Sequence, residues 1–384
     1  MRILYLAPCP PSPERPDVLH HPRLLARRHE VSVVVLYRHE AELAWVETLR
    51  SAGVRITALQ LTSADSVKSC AARAFTPWPL YLAYYFNRRL LEAIQRVSSE
   101  VRPDVVHAYT LRMAPYAARI GTPAVCNIQD VLTTRYRGYV ARPTIGWPLD
   151  VEERLKLGWF EPRLWRQMDR IGVVSEEEAD DARALVPDIA PHVIRPGLDP
   201  VYFAPYPESE RTRTIVFLGR FSYRPNVEAA LRAARGVFPI VRRRLPGVRL
   251  VLVGSDPPAA LRHLARDPDI QVTGRVEDVR PLVGRAAVSL SPMTTGGGVK
   301  YKVLQSLALA TPVVTNRLGA RGTGLTDGRD VVLAETDEAM AEACVELLED
   351  PDRRKALGSH GRETVVTRHA WDAVAEALER FHAR

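Results

Sequence analysis

Short runs of aliphatic and β-branched residues alternate with longer helical patterns along this chain, and the series runs twice. In the first half the apolar runs predict strands at Ile3–Ala7, Val31–Leu36, Val105–His107, Ala124–Ile128, Ile171–Val174 and Val193–Ile194. In the second half they predict strands at Ile215–Leu218, Leu250–Val253, Ile270–Val272, Val288–Leu290, Val313–Thr315 and Val331–Leu333. Amphipathic stretches such as Leu90–Val97 lie between them. Such alternation implies βαβ units, and therefore parallel sheets covered by helices on both faces. The series is interrupted once, by Arg195–Pro200, Pro205, Pro207 and a polar run from Glu208 to Arg213. A proline-rich, polar interruption of this kind predicts a joint between domains. The division expected is 1–197, a linker at 198–212, and 213–368, in a chain of 384 residues that is long enough for two cores. The tail Trp371–Phe381 has the apolar spacing of a helix.

The net charge of +8 favours anionic partners: sugar nucleotides, nucleic acid or an acidic membrane face. The four cysteines, Cys9, Cys70, Cys126 and Cys344, are scattered without zinc spacing, which fits a reducing cytoplasm. The first apolar run, Ile3–Ala7, meets Pro8, Pro10 and Pro11, so it does not read as a signal peptide. No apolar run approaches the roughly 20 residues that span a bilayer. Asp267-Pro268-Asp269 and Asp350-Pro351-Asp352 match an Asp-x-Asp metal motif literally, but each brackets a proline outside a strand end and reads as a turn. No metal site is expected.

In open parallel sheets, ligands bind outside the carboxyl ends of the strands. Three such junctions in the second half carry useful chemistry. The first holds Gly219 and Arg220, then Arg224, Pro225 and Asn226; an arginine there can hold a diphosphate with its fork of donors. The second holds Gly274, Arg275 and Val276, whose backbone could meet a nucleobase. The third runs Thr294, Thr295, Gly296, Gly297, Gly298, Val299, Lys300 into a helix with Lys302 and Gln305 three apart. Glycines at a strand-to-helix junction let backbone approach an anion, and a helix N-terminus attracts one. Only five of the 53 basic residues are lysines, and two of them stand at this junction. It lacks the Gly-Lys-Ser/Thr of a Walker loop.

Taken together, "GR…RPN", "VTGRVEDV" and "SPMTTGGGVKYKVLQSLALATPVVTN" resemble the nucleotide-sugar half of the family-four retaining glycosyltransferases (glycosyl transferases group 1). "VIRPGLD", "VVSEEEADD" and "WDAVAEAL" are similar to that family's hinge, pre-hinge and last-helix segments. The resemblance implies an α/β chain of the GT-B fold: two facing Rossmann-like, doubly wound domains around an interdomain cleft. It also implies a C-terminal helix, about 369–384, that crosses back to the first domain. The activity implied is transfer of a sugar from a nucleoside-diphosphate sugar to an acceptor hydroxyl, with retention and without a metal or other cofactor. Arg220 takes the place of the arginine that neutralises the donor diphosphate. The second basic role falls to Lys302, Lys300 or Arg224. The family's paired glutamates correspond to Gly297 and Gln305, so both acids are replaced in a glycine-lysine variant of that motif. Gln305 can still hydrogen-bond a ribose.

In the first half, Asp104–Thr110 resembles the family's Asp-x-x-His-x-His segment, with His107 on the first histidine and Tyr109 on the second. Both are candidates near the reacting sugar; a buried strand histidine is the competing reading of His107. Asp17, His20 and Asp130 are candidates for the acceptor. The aromatic stretches Trp78–Phe86 and Tyr136–Trp165 would pack a core, line an aromatic acceptor pocket, or touch a lipid-linked acceptor at a membrane surface. Two other classes compete. A sugar-nucleotide 2-epimerase of the same architecture needs several acids in its cleft. A nucleic-acid binder fits the charge, but the basic residues are dispersed and no recognition module is visible.

Overall fold

The computed structural model describes residues 1–141 and 147–383. Within them the chain forms two compact units, one of Met1–Gly197 with Trp371–Arg384 and the other of Leu198–Ala370.

The first unit is built on a seven-stranded sheet of order β3-β2-β1-β4-β5-β6-β7. Its strands are β1 (Arg2–Ala7), β2 (Glu30–Tyr37), β3 (Arg55–Gln60), β4 (Val105–Tyr109), β5 (Ala124–Asn127), β6 (Arg170–Val173) and β7 (His192–Val193), all paired in parallel. Along β1, Leu4 and Leu6 enter one core, while Ile3 and Tyr5 enter the other on the opposite face. That double burial explains why the central strands read as unbroken apolar runs. Each such side chain contributes about 1.5–3 kcal/mol. β3 is absent from the expected strands. It lies at the sheet edge and its residues are half-buried or exposed, so RITALQ carries no continuous apolar run.

The second unit has a six-stranded sheet of order β10-β9-β8-β11-β12-β13. Its strands are β8 (Thr212–Leu218), β9 (Arg249–Val253), β10 (Ile270–Val272), β11 (Ala286–Ser291), β12 (Val313–Thr315) and β13 (Val332–Leu333), again parallel. In each sheet the strand order reverses once: between β1 and β4 in the first, between β8 and β11 in the second. These are the topological switch points, where the outgoing loops diverge and leave a crevice.

The proline-rich stretch expected as a linker is packed on the second unit. Leu198 and Phe203 are buried in its core. The Arg211 guanidinium is enclosed there and donates to Thr311 Oγ1 at 2.7 Å and to the carbonyls of Ala286 and Ala310 at 2.8 and 2.7 Å. The prolines prevent helix formation but do not prevent docking. The last helix, Trp371–His382, lies within the first unit and buries Val374, Leu378 and Phe381 among residues of β1, β2 and the helix Pro16–Leu25. Among the described residues, no helix is long and apolar enough to cross a membrane.

Candidate functional site

The switch point of the second sheet collects much of the chemistry expected there. β8 ends at Leu218, and Gly219-Arg220 leads into the helix Arg224–Arg232. β11 ends at Ser291, and the glycine loop leads into the helix Tyr301–Ala308. On that second helix Val303, Leu304, Leu307 and Ala308 are buried, as the apolar stripe requires, which leaves Lys302 and Gln305 half-buried on another face.

Lys302 is the centre of the arrangement. Its ammonium donates to Asn226 Oδ1 at 2.5 Å, lies 3.7 Å from Met293 Sδ, and sits 4.4 Å from the centroid of the Phe217 ring. Desolvation, then repulsion from Lys300, pulls its pKa down from 10.5 to about 7. Asn226 in turn donates to the Arg220 carbonyl at 2.8 Å, which ties the two loops together. Gly219 is required by this geometry. A Cβ there would come within 2.9 Å of the Asn226 side chain and 3.1 Å of Lys302 Nζ. The Arg220 side chain is exposed and makes no hydrogen bond or ion pair among the described residues.

Lys300 does something different. It is buried and donates to the carbonyls of Gly296, Gly297 and Gly298 at 3.3, 3.1 and 2.7 Å. It therefore folds the glycine loop, which turns through left-handed φ angles of +106° at Gly296 and +64° at Gly298. Arg224, another candidate for the second basic role, pairs with Glu228 at 2.8 Å. Of the three candidates, Lys302 alone is left with an ammonium on the strand-end crevice. Gly274 holds a left-handed φ of +67°, Arg275 is exposed, and Val276 packs against the core beside β8 and β9.

Glu228 is missing from the expected set. Its carboxylate accepts from Thr295 Oγ1 at 2.7 Å, Thr294 Oγ1 at 3.2 Å and Arg224 Nε at 2.8 Å. Burial raises its pKa, but these donated bonds outweigh burial and hold the carboxyl below its ordinary range. The loop that has Gly297 in place of an acid is thus braced by an acid from a different helix. The i, i+4 spacing of Arg224 and Glu228 is visible in the sequence; the reach of Glu228 to residues 294 and 295 is not.

The candidates of the first unit separate more sharply. His107 is fully buried on β4. Its Nδ1 lies 2.9 Å from His382 Nε2, and its ring is 5.7 Å from Phe381 and stacked 4.4 Å from Tyr5. The last helix covers it, as the reading of a buried strand histidine expects. His382 bonds the Leu378 carbonyl through Nδ1 at 2.7 Å, which makes its Nε2 an acceptor and the His107 Nδ1–H the donor. Burial lowers the pKa of both, that of His382 to about 4. His20 stacks 4.2 Å from Trp371. Tyr109 and Asp17 meet each other: Tyr109 Oη donates to Asp17 Oδ2 at 3.1 Å, and Gln129 Nε2 donates to the same oxygen at 3.3 Å. Asp130 is paired with Arg135 at 3.0 Å. Trp78 packs 5.0 Å from Phe86 and 4.9 Å from Phe160, which is the core-packing reading of the first aromatic stretch. The second stretch crosses 142–146, which lie outside the described residues.

Both Asp-Pro-Asp segments are tied into local structure. Arg242 holds Asp267 at 2.6 Å and Asp269 at 3.5 Å, and Asp350 caps the helix Pro351–His369. Among the described residues no three His, Cys, Asp or Glu side chains converge as metal ligands would.

Each unit matches a family model: the glycosyl transferase 4-like domain over residues 15–197, and the glycosyl transferases group 1 over residues 212–350. A GDP-mannose-dependent alpha-(1-6)-phosphatidylinositol monomannoside mannosyltransferase of Mycobacterium tuberculosis is 31% identical over 231 residues, 52% of this chain and 57% of that protein. A glycogen synthase of the same organism is 28% identical over 300 residues, 73% of this chain and 69% of that protein. The chain thus spans little more than half the length of the first of these relatives. Among solved structures, Anabaena Alr3699/HepE in complex with UDP-glucose superposes with a TM-score of 0.71 at 13% identity, covering 99% of this chain and 98% of that one. Sucrose-phosphate synthase from Thermosynechococcus elongatus does so with a TM-score of 0.70 at 16% identity, covering 100% and 98%. The fold is GT-B.

Proposed function

We propose that this chain, a GT-B protein of the glycosyltransferase class with a glycosyl transferase model matched on each unit, moves a sugar from a nucleoside-diphosphate sugar to an acceptor hydroxyl with retention. The observation that carries the reading is the Lys302 ammonium, held against Asn226 and Gly219 at the switch point of β8 and β11, beside the exposed Arg220 and the glycine loop. Fixed positive charge at that position suits a leaving diphosphate, whose charge grows as the bond breaks.

The chemistry asks little else of the chain. The bond between the sugar's anomeric carbon and the diphosphate oxygen breaks, and its electron pair stays with the diphosphate. The acceptor oxygen bonds to the same face of that carbon, and its proton passes to the departing phosphate oxygen. No side-chain base is needed on that route, consistent with His107 lying under the last helix and Tyr109 bonded to Asp17. Arg220 and Lys302 stabilise the leaving group electrostatically, Gln305 hydrogen-bonds the ribose, and Glu228 holds Thr294 and Thr295 in position. One mycobacterial relative is named as GDP-mannose-dependent, and a nucleoside-diphosphate sugar is the donor class proposed here.

Calorimetry with uridine, guanosine, thymidine and adenosine diphosphate sugars tests the assignment. One of the four should bind, and Arg220→Ala and Lys302→Ala should each weaken it by about two orders of magnitude. Unchanged affinity in both variants would place the donor elsewhere.

A further inference from the structure

The first sheet has a switch point of its own, between β1 and β4, and the side chains around it differ in kind from those of the second unit. Three guanidiniums alternate there with four tyrosine rings. Arg38, just past β2, lies 4.6 Å from the centroid of Tyr84, which meets Tyr85 edge-on at 5.4 Å. Arg112, just past β4, lies 4.7 Å from Tyr85 and 4.7 Å from Tyr81. Arg135, in the helix Leu132–Val140 that follows β5, lies 5.3 Å from Tyr81 and 5.4 Å from Tyr136.

Arg112 is the unusual member. It makes no hydrogen bond or ion pair among the described residues, and its Nε is buried without a partner. Burial disfavours its charge and Arg135 repels it, but Tyr81 and Tyr85 beside it favour the charge and hold its pKa above the ordinary range, so the guanidinium stays cationic. The nearby thiol of Cys9 is kept protonated by burial. Arg38 Nη1 is likewise buried without a partner, although Nη2 donates to Ser66 Oγ at 3.1 Å. One carboxylate, Asp130, is bonded to this ladder, on Arg135. The glutamates that pack nearby face backbone instead: Glu153 accepts from Leu80 and Tyr81 N–H, Glu161 from Leu132 and Thr133, Glu178 from Val131. They fix the segments that carry Tyr81 and Arg135 without neutralising Arg112. The backbone entering the site is strained as well. Thr110, two residues before Arg112, holds a left-handed φ of +67°, which a β-branched residue rarely adopts, and its Oγ1 is buried without a partner. Among the described residues this ring-enclosed guanidinium has a buried in-plane donor without a partner and no bonded carboxylate, an arrangement that an anion would complete.

We infer that the carboxyl end of the first sheet binds an oxyanion, phosphate or carboxylate, carried by the acceptor, with Arg112 as its principal ligand and Arg38 and Arg135 beside it. The inference rests on the transferase reading for the word acceptor, but the anion site stands on the geometry of the first unit alone. The tyrosines add a surface on which the rest of the acceptor can lie, open at the ladder's outer end where Tyr84 is 40% exposed.

Calorimetry on the full chain, saturated with the nucleoside diphosphate that binds it so that the second unit's anion site is filled, separates the outcomes. The probes are inorganic phosphate, glucose 6-phosphate, glucuronate and neutral glucose. The phosphorylated or the carboxylated sugar should bind at least tenfold more tightly than glucose, and whichever does identifies the oxyanion. Arg112→Gln should remove at least tenfold of that preference, with Arg112→Lys between it and the native chain, because lysine keeps the charge but loses the planar fork. Asp130→Asn should tighten anion binding several-fold by releasing Arg135. Equal affinity for glucose and both anionic sugars overturns the inference. So does an unchanged anion affinity in Arg112→Gln that still binds nucleotide. Should Arg112→Gln fail to fold, an Asp130→Asn chain with no gain in anion affinity overturns it instead. Anion binding by a chain that binds no nucleotide would sink the transferase reading and leave the anion site standing; nucleotide binding without anion binding would do the reverse.

Discussion

The two switch points solve different problems with the same topology. At the second, between β8 and β11, bulk is removed: Gly219 and the glycine loop let backbone come close, and one ammonium is left at the crevice while its neighbour, Lys300, is turned inward onto three carbonyls. At the first, between β1 and β4, bulk is added: guanidiniums stack on tyrosines, and the histidine that the motif would bring to the chemistry is covered by the last helix. A doubly wound sheet dictates where a ligand goes. Whether the site reads backbone or side chain is decided by what the strand-end loops carry.

The contrast breaks most visibly at Gly219. Gly219→Val would press on Asn226 and Lys302 and displace the ammonium, so turnover should fall by about 10²–10³, as when a preorganised donor is lost; near-normal turnover would show that Lys302 is not at the reacting diphosphate. Next comes the histidine pair of the first unit. Its pKa values are depressed on folding, so their stability contribution is complete above pH 6.5 and is lost as pH falls toward about 4, where the unfolded chain takes up protons and the folded chain does not. For His382 alone that is about 3 kcal/mol, and His382→Leu should flatten the dependence of denaturant midpoint on pH across that window.

Lys302 titrates in the opposite sense with respect to function. With its pKa near 7 in the free protein, it must take up a proton to meet the diphosphate above that pH. Affinity for a nucleoside-diphosphate sugar, whose own phosphates do not titrate there, should fall by up to about tenfold per pH unit above 7, with proton uptake measurable from the buffer dependence of the calorimetric heat. A flat profile would mean that Lys302 does not contact the ligand. The smallest effect belongs to Glu228. Glu228→Gln keeps an acceptor for Thr295 but loses the charge that holds Arg224, and should cost about five- to tenfold in affinity for the donor. An effect confined to overall stability would make Glu228 a brace with no consequence for the site.

Much of this molecule can be read from its residues in order. The doubly wound fold follows from two series of apolar runs, because a strand buried on both faces has to be apolar throughout; β3 escaped for the complementary reason, being an edge strand with half-exposed residues. The candidate donor loops are legible because glycine at a strand end and a lysine pair in an arginine-rich chain are local signals. The prolines at 196–207 announced an interruption, yet not that the segment would pack on the second unit, since docking depends on what lies beside it.

What the sequence by itself determined, then, is the series of elements and the stretches at which their carboxyl ends fall. The tertiary structure alone decided the roles of individual side chains there. Lys300 and Lys302 stand two positions apart and are chemically identical, but one faces the carbonyls of its own loop and the other faces Asn226 from a different helix. His107 and His382 are 275 positions apart and become one hydrogen-bonded pair. Arg112 acquires its ring-lined setting only when the segment between β3 and β4, which carries Tyr81 and Tyr85, and the stretches after β1 and β5 are folded around it. Charge, burial and partner belong to neighbourhoods in space, and those neighbourhoods are assembled from segments whose distance along the chain leaves no local trace.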